Sequence, residues 1–471
     1  MSKAILWFRQ DLRLQDNPAL HAALQHRQVI PIYIHDPASA SPWQAGSAAR
    51  WWLHHSLVAL AEGLARRGSQ LQVFHGDTQT ILAELCRCSG AAQIHWNRRY
   101  EPAGIALDKQ LKHQLQQQGV VTHSHNAALL FEPWQVLKGD GEPYRVFTPF
   151  WKACLRSGLS RPLLDAPAQL PAAESYSTLS VGALQLLPTL PWADGFHRHW
   201  TPGEAGAKAA LERFIEQGLP HYAEGRDRPD RPHTACLSPH LHLGEISPAR
   251  LVAAIQAASD RSGLLRHGES WLRELGWREF AHYLLYHFPE TTAAPFNPRF
   301  ANFPWRNDPA ALSAWQRGET GFPIIDAGMR ELWHTGWMHN RVRMIVASLL
   351  TKNLLIPWQQ GANWFWDTLV DADLAANTLG WQWTAGCGAD AAPWFRIFNP
   401  VLQGQKFDPD GAYVRRWVPE LAALPNKHLH QPWKLNESKL AEYGVVLGKD
   451  YPHPIVDLAT SRERALAAVK R

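Results

Sequence analysis

The periodicity of this chain changes character once, and that change decides what it can fold into. Through residues 1–130, short apolar, β-branched runs (AILWF, VIPIYI, LQVFHG, AAQIHW and VVTHSHN) alternate with helical stretches such as SAARWWLHHSLVALAEGLARRG, which closes on Gly68. This is the βαβ pattern of a doubly wound parallel sheet, whose ligands sit at the carboxyl ends of the strands. Beyond about Pro202 the strand signals stop. GAKAALERFIEQGL, SPARLVAAIQAAS, ESWLRELGWREFAHYLLYHF, PIIDAGMRELWHTG and NRVRMIVASLLTKNLL all repeat at helical spacing, which predicts an all-α second half. In between, proline accumulates in RPLLDAPAQLPAAES and LLPTLPW, so residues 132–200 read as a long surface linker with one packed helix over YRVFTPFWKACL and no function of its own. The expected architecture is α/β plus all-α: a sheet domain over 1–131, the linker, and a helical domain over 201–471.

At 471 residues the chain exceeds one core and needs two or three. No unbroken apolar run reaches spanning length, and Arg9, Asp11 and Arg13 directly follow the first apolar run. Neither a membrane segment nor a signal peptide is expected, which places a soluble protein, read as a monomer, in the cytoplasm. The five cysteines are odd in number and form no CxxC pair, and HLHLGE around His240 and His242 lacks the i, i+4 pair of a zinc helix, so no disulfide framework and no metal are expected. A formal charge of +5 is small for a nucleic-acid binder of this size, so any such contact must come from a local patch. The first strand is followed by RQDLRLQDNPAL instead of GxGxxG, which argues against a plain Rossmann dehydrogenase.

Tryptophan is the compositional outlier at 23 residues, twelve of them between Trp271 and Trp394. Within that region DADLAANTLGWQWTAGCGADAAPWFRIFNP, residues 371–400, is short of aliphatics and rich in rings and hydrogen-bonding groups, a mixture suited to a planar, polar-edged ligand. Asp371 or Asp373 could equally cap a helix, and Trp381 and Trp383 could equally be packing. Polar groups recur on other apolar helices, at Glu274 and Arg278 and at Asn340 and Arg343. Buried charges are tolerated only when paired or ligand-bound, so these groups are expected to converge.

The long motifs WFRQDLRLQDNPAL, RPHTACLSPHLHLGEISP, WLRELGWREF and TGFPIIDAGMRELWHTGWMHNRVRM closely resemble the DNA photolyase and cryptochrome family, and the likeness covers nearly the whole chain. It implies an N-terminal α/β domain, a linker and a helical domain holding FAD. It also implies a light-driven lyase of the class I, cyclobutane-dimer type, in which excited reduced FAD lends one electron to a pyrimidine dimer in UV-damaged DNA. A blue-light photoreceptor of the cryptochrome kind is the alternative.

Residue by residue, the resemblance places Thr234, Ala235, Cys236, Leu237 and Ser238 at the FAD pyrophosphate, with Ala235 where the family usually has serine. Tyr222, Trp271, Glu274, Arg278, Asn340, Arg343, Asp371 and Asp373 fall among FAD-contacting positions, with Arg343 expected to pair with Asp371. Asn377 matches the asparagine that faces the flavin N5 in photolyases, where plant cryptochromes have aspartate. Asn340 and Met344 match the cyclobutane-dimer enzymes instead of the (6-4) enzymes, which have histidines there. Trp381, Trp358 and Trp305 match a relay that photoreduces the flavin. Trp277 and Trp383 match a clasp on the flipped dimer, Glu274 a contact to the thymine edge, and Arg226, Arg341, Arg396 and Gln403 the contacts that hold the DNA. A second, antenna chromophore is implied. WNRRYEPAGIALD carries Ala103 and Gly104 where folate-binding members have Asn-Glu and comes closer to the EPxG of deazaflavin-binding ones, so methenyltetrahydrofolate and 8-hydroxy-deazaflavin both stay open.

Overall fold

All five apolar runs become strands: β1 Lys3–Phe8, β2 Gln28–His35, β3 Gln72–His75, β4 Gln93–Asn97 and β5 Val121–His125. The computed structural model describes residues 2–470, and at 261 and 262 the backbone only. The strands form one parallel sheet in the order β3-β2-β1-β4-β5. Ala4 to Phe8 are buried without interruption because helices cover both faces. Leu6 and Phe8 pack with helix Ser47–Ala65 on one face, while Ile5 and Trp7 pack with helices Thr78–Ser89 and Pro102–Gln117 on the other. The strand order reverses direction at β1, so a crevice opens outside the carboxyl ends of β1 and β4.

The charged loop after β1 is held internally. Arg9 donates to Asp108 at 2.6 and 3.1 Å, and Arg13 reaches the carbonyls of Gly244 (2.7 Å) and Ala127 (2.9 Å). Gly244 meets that loop so closely that a Cβ on it would lie 2.2 Å from the Gln10 carbonyl oxygen, and its φ of +66° is left-handed besides.

The linker contains the expected helix, at Phe147–Ser157. It is not a surface path throughout. Leu170, Leu184, Leu186, Phe196 and Trp200 are buried against the sheet domain's outer helix. Scattered between prolines, these residues have no periodicity to betray them. Beyond residue 203, helices carry the fold, the longest being Leu265–His287.

Two buried carboxylates dock the domains. Glu245 accepts from Trp52 Nε1 (3.0 Å) and the Gly203 amide (2.7 Å), and also from Ser56 and His240. Glu279 accepts from the amides of Leu130 (2.9 Å) and Phe131 (3.4 Å), where the chain leaves the sheet domain. Burial pushes the Glu279 carboxyl from 4.5 up to about 7, against the pull of Arg278 and His282.

The native state therefore binds more protons at Glu279 than the unfolded chain between those two values, and this group's contribution to stability falls as pH rises from 4.5 to 7. Glu279→Gln removes that slope. Its melting temperature relative to wild type should climb across the window, by the equivalent of about 3 kcal/mol, in thermal melts at stepped pH.

Candidate functional site

Asp371 is buried where three segments meet. Arg343, from helix Asn340–Ser348, donates to its Oδ2 at 2.8 Å, and the Ser238 hydroxyl donates to the same oxygen at 2.6 Å. Its other oxygen, Oδ1, is buried with no protein partner. A buried, charged acceptor left unmet is costly, and a ligand N–H or O–H is what would meet it.

Asp373 turns elsewhere. It caps helix Leu374–Ala385 by accepting from the Ala376 amide, and it faces His282 Nε2 at 3.2 Å and His242 Nδ1 at 3.9 Å. Burial opposes its ionisation, yet the two histidines hold the carboxyl well below the usual range. His282 has the Arg278 carbonyl 3.1 Å from its other nitrogen, so both ring nitrogens face acceptors. The two aspartates diverge because a tight turn, Asp373 N to Asp371 O at 2.7 Å, separates them just before the helix.

The segment 234–238 leads into the short helix Ser238–His242. Cys236 has a left-handed φ of 51° and Leu237 is right-handed. Such alternation turns successive N–H groups toward one concave side, the shape that cradles phosphate. Ala235 and Leu237 are buried, so this loop offers backbone rather than hydroxyls, and Thr234 Oγ1 lies 3.7 Å from Cys236 Sγ. Beside it, Tyr222 and Trp271 flank Phe214 at 5.6 and 5.8 Å, where the helix passes through a π turn over Phe214–Gly218.

The polar rim is paired. Arg226 bonds Glu274 at 2.6 Å, and Arg341 bonds Asp227 at 2.8 Å. Arg278, one turn beyond Glu274, donates to the Ala128 carbonyl at 2.8 Å across the domain boundary. Asn340 and Arg396 are exposed; Gln403, Met344 and Trp383 are half-buried. Trp277 stacks on Phe147 of the linker helix at 3.8 Å and 9°, which leaves one face of the indole for anything else.

Asn377 donates from Nδ2 to the Ala362 carbonyl at 3.0 Å, which fixes the amide. Trp381 packs its six-membered ring against the preceding helix, Trp358–Thr368: a Cβ on Gly361 would sit 2.0 Å from it. Trp358 and Trp381 are buried in one cluster, with half-buried Trp305 packed against its edge. Several other indoles are staples, their Nε1 groups reaching Glu245 (Trp52), Asp108 (Trp96) and the carbonyls of Thr335 (Trp200), Val346 (Trp315) and Gln44 (Trp366). Packing therefore explains more of the tryptophan excess than composition suggested.

A separate cavity of about 610 Å³ opens at the carboxyl ends of β1 and β2. Trp7, Tyr33, Trp43 and Trp366 line it, with His282 and Asp373 on the side of the helical domain. His242 and His282 were not anticipated; the spacing of Glu274, Arg278 and His282, every fourth residue on one helix face, was the available signal. Among the described residues no group of three or more His, Cys, Asp or Glu side chains could hold a metal ion, and no helix is long and apolar enough to cross a membrane.

A parallel-sheet domain docked on a helical domain, with an unmet buried carboxylate and a phosphate-shaped loop, defines a two-domain binder of a dinucleotide-like cofactor. The chain belongs to the DNA photolyase family. Residues 4–172 match the family described as DNA photolyase, and residues 271–471 match the FAD binding domain of DNA photolyase. The chain is 51% identical to a deoxyribodipyrimidine photo-lyase of Agrobacterium fabrum, over 98% of this chain and 97% of that one. The crystal structure of a bacterial class III photolyase from Agrobacterium tumefaciens superposes with a TM-score of 0.97 at 50% identity, covering 100% of this chain and 98% of that one. Cryptochrome-2 of Arabidopsis thaliana is 40% identical over 100% of this chain and 79% of its own length. The residues present fit FAD: Asp371 Oδ1 lacks a donor, the 235–238 backbone suits a pyrophosphate, and Asn377 offers a fixed amide.

Asp371→Asn should lower flavin affinity roughly ten- to a hundredfold, the range for a charged buried hydrogen bond. Flavin absorbance retained after gel filtration checks it.

Proposed function

We propose that this chain is a deoxyribodipyrimidine photo-lyase that reverses cyclobutane pyrimidine dimers in UV-damaged DNA under blue light. The observation that carries the reading is likeness along the full length of a protein of that name, at 51% identity. When bound, reduced FAD supplies an excited-state electron to the dimer and takes it back; the protein needs no general base. Its own residues bind, orient and exclude water. Arg343 and Ser238 hold Asp371 ready for the cofactor, the 234–238 backbone takes its phosphates, and Asn377 presents an amide that cannot act as an acid. Tyr222 and Trp271 form the aromatic wall, and Arg278, His282 and Asp373 brace the far side.

For the lesion, Trp277 and Trp383 offer indole faces, Glu274 an acceptor for the base edge, and Asn340 and Met344 the pocket floor. Arg226, Arg341, Arg396 and Gln403 supply the contacts to the DNA backbone. The 226–274 and 341–227 pairs must loosen for that, which exchanges one carboxylate partner for phosphate or base. Stacking a base on an indole is worth about 1–3 kcal/mol, comparable with the cost of flipping a damaged base. Identity near 50% with a protein described as class III favours that subclass over class I. A second planar chromophore, a folate or a deazaflavin, belongs in the 610 Å³ cavity between the domains, where four aromatic rings form its walls.

The cryptochrome-like reading has the 40% identity to Cryptochrome-2 behind it, but Asn377 stands where plant cryptochromes carry aspartate. Incubating reduced, flavin-loaded protein with dimer-containing oligonucleotide separates the two: thymine recovery in blue light and none in the dark is expected, and no recovery in light refutes the lyase. Trp381→Phe should slow photoreduction of the oxidised flavin at least roughly tenfold, a barrier change of about 1.4 kcal/mol or more, and leave repair by pre-reduced protein nearly intact. Loss of both would make the indole structural.

A further inference from the structure

Lys352 is fully buried, on a π turn over Leu349–Asn353, three residues before Leu355, whose φ of 56° is left-handed. Among the described residues no carboxylate pairs with it, and burial pushes its amine from 10.5 down to about 7. A buried amine with no carboxylate partner, a π turn and a left-handed leucine each cost stability, and proteins keep such features together where they serve a site.

The Lys352 amine has one evident target. Its Nζ donates to the Trp394 carbonyl at 3.1 Å and sits 4.2 Å from the centroid of the same residue's indole. Gly386 closes the junction; a Cβ there would stand 3.3 Å from Nζ. Three further bonds pin the segment that contains Trp394: its own Nε1 to the Ala465 carbonyl at 2.9 Å, the Ala392 amide to the Trp383 carbonyl at 3.2 Å, and the Phe398 amide to the Ser348 hydroxyl, one turn before Lys352, also at 3.2 Å. Between these pins Trp394 is buried, whereas Pro393, Phe395 and Arg396 are exposed. Phe395 is 69% exposed and Arg396 is exposed beside it, with its guanidinium 5.6 Å from the Phe398 ring.

We propose that Lys352 is a positioning residue for damaged-DNA binding, holding the carbonyl and ring of Trp394 so that the 395–397 turn presents Arg396 to the DNA backbone. The inference rests on the lesion-binding reading above. Lys352 itself touches neither DNA nor flavin; it sets the angle at which the turn leaves the core.

The test is a double-mutant cycle on the full, flavin-loaded chain, with affinity for a dimer-containing duplex read by fluorescence anisotropy across a salt series in the dark. Lys352→Met should weaken binding roughly tenfold and lower the salt slope by about one, as loss of one phosphate contact does. Arg396→Ala should do the same, and the double variant should bind no worse than Arg396→Ala alone, because both remove one contact. Lys352→Met should also melt within a few degrees of the wild-type temperature, since removing a buried, unpaired amine offsets the lost bond to the Trp394 carbonyl; weaker binding is then not a folding defect. Wild-type affinity in Lys352→Met, or additive losses in the double variant, overturns the proposal while leaving the DNA site in place if Arg396→Ala binds weakly. Wild-type affinity in Arg396→Ala removes this edge from the DNA site, and the proposal with it.

Discussion

Glu245 lies between the two domains with a tryptophan of the sheet domain's outer helix on one side and the amide of Gly203, where the helical domain begins, on the other. The same device recurs elsewhere, both between distant segments and within single turns. Glu279 takes the amides of Leu130 and Phe131, Asp326 those of Thr320 and Gly321 with the Tyr451 hydroxyl, and Asp408 those of Tyr413 and Val414. The helical half is built of many short helices joined by irregular chain, and their buried amides need acceptors that regular ladders would otherwise provide. Buried carboxylates meet that need, and burial lifts several of them toward neutrality: Glu279 and Glu331 to about 7 and Asp408 to about 6.

The scaffold gathers Arg343, Ser238 and the 234–238 backbone around Asp371, while Trp7, Tyr33, Trp43 and Trp366 line the cavity at the carboxyl ends of β1 and β2. Asp373, His282 and His242 stand in the wall of that cavity. Asp373 also starts the helix that carries Asn377 and Trp381. One helix cap thus ties the wall of the cavity to that helix.

The tryptophans divide by role. Trp381 and Trp358 are buried on neighbouring helices and Trp305 lies at the cluster's edge. Many of the rest fill space and donate one Nε1–H to a carbonyl or carboxylate that irregular packing leaves unmet. An indole combines large apolar area with a single donor, which leucine lacks.

Much of this was legible in the residues themselves. The strands declared themselves as short apolar runs, of which β1 and β2 are buried on both faces, and the helices by their period, because these patterns arise from local geometry. Arg343 with Asp371 was legible through motif likeness. Other features were not. The burial of Leu184, Leu186 and Phe196 leaves no periodic trace, since irregular chain buries residues one at a time. Glu274 pairs with Arg226, forty-eight positions away, Trp277 is faced by Phe147 of the linker, and Lys352 grips Trp394. Local order follows from chain sterics and side-chain spacing, which sequence carries directly. Which polar atoms meet, and which of two aspartates keeps a buried oxygen without a protein partner, depends on how separate elements pack, and that was decided only when the whole chain closed on itself.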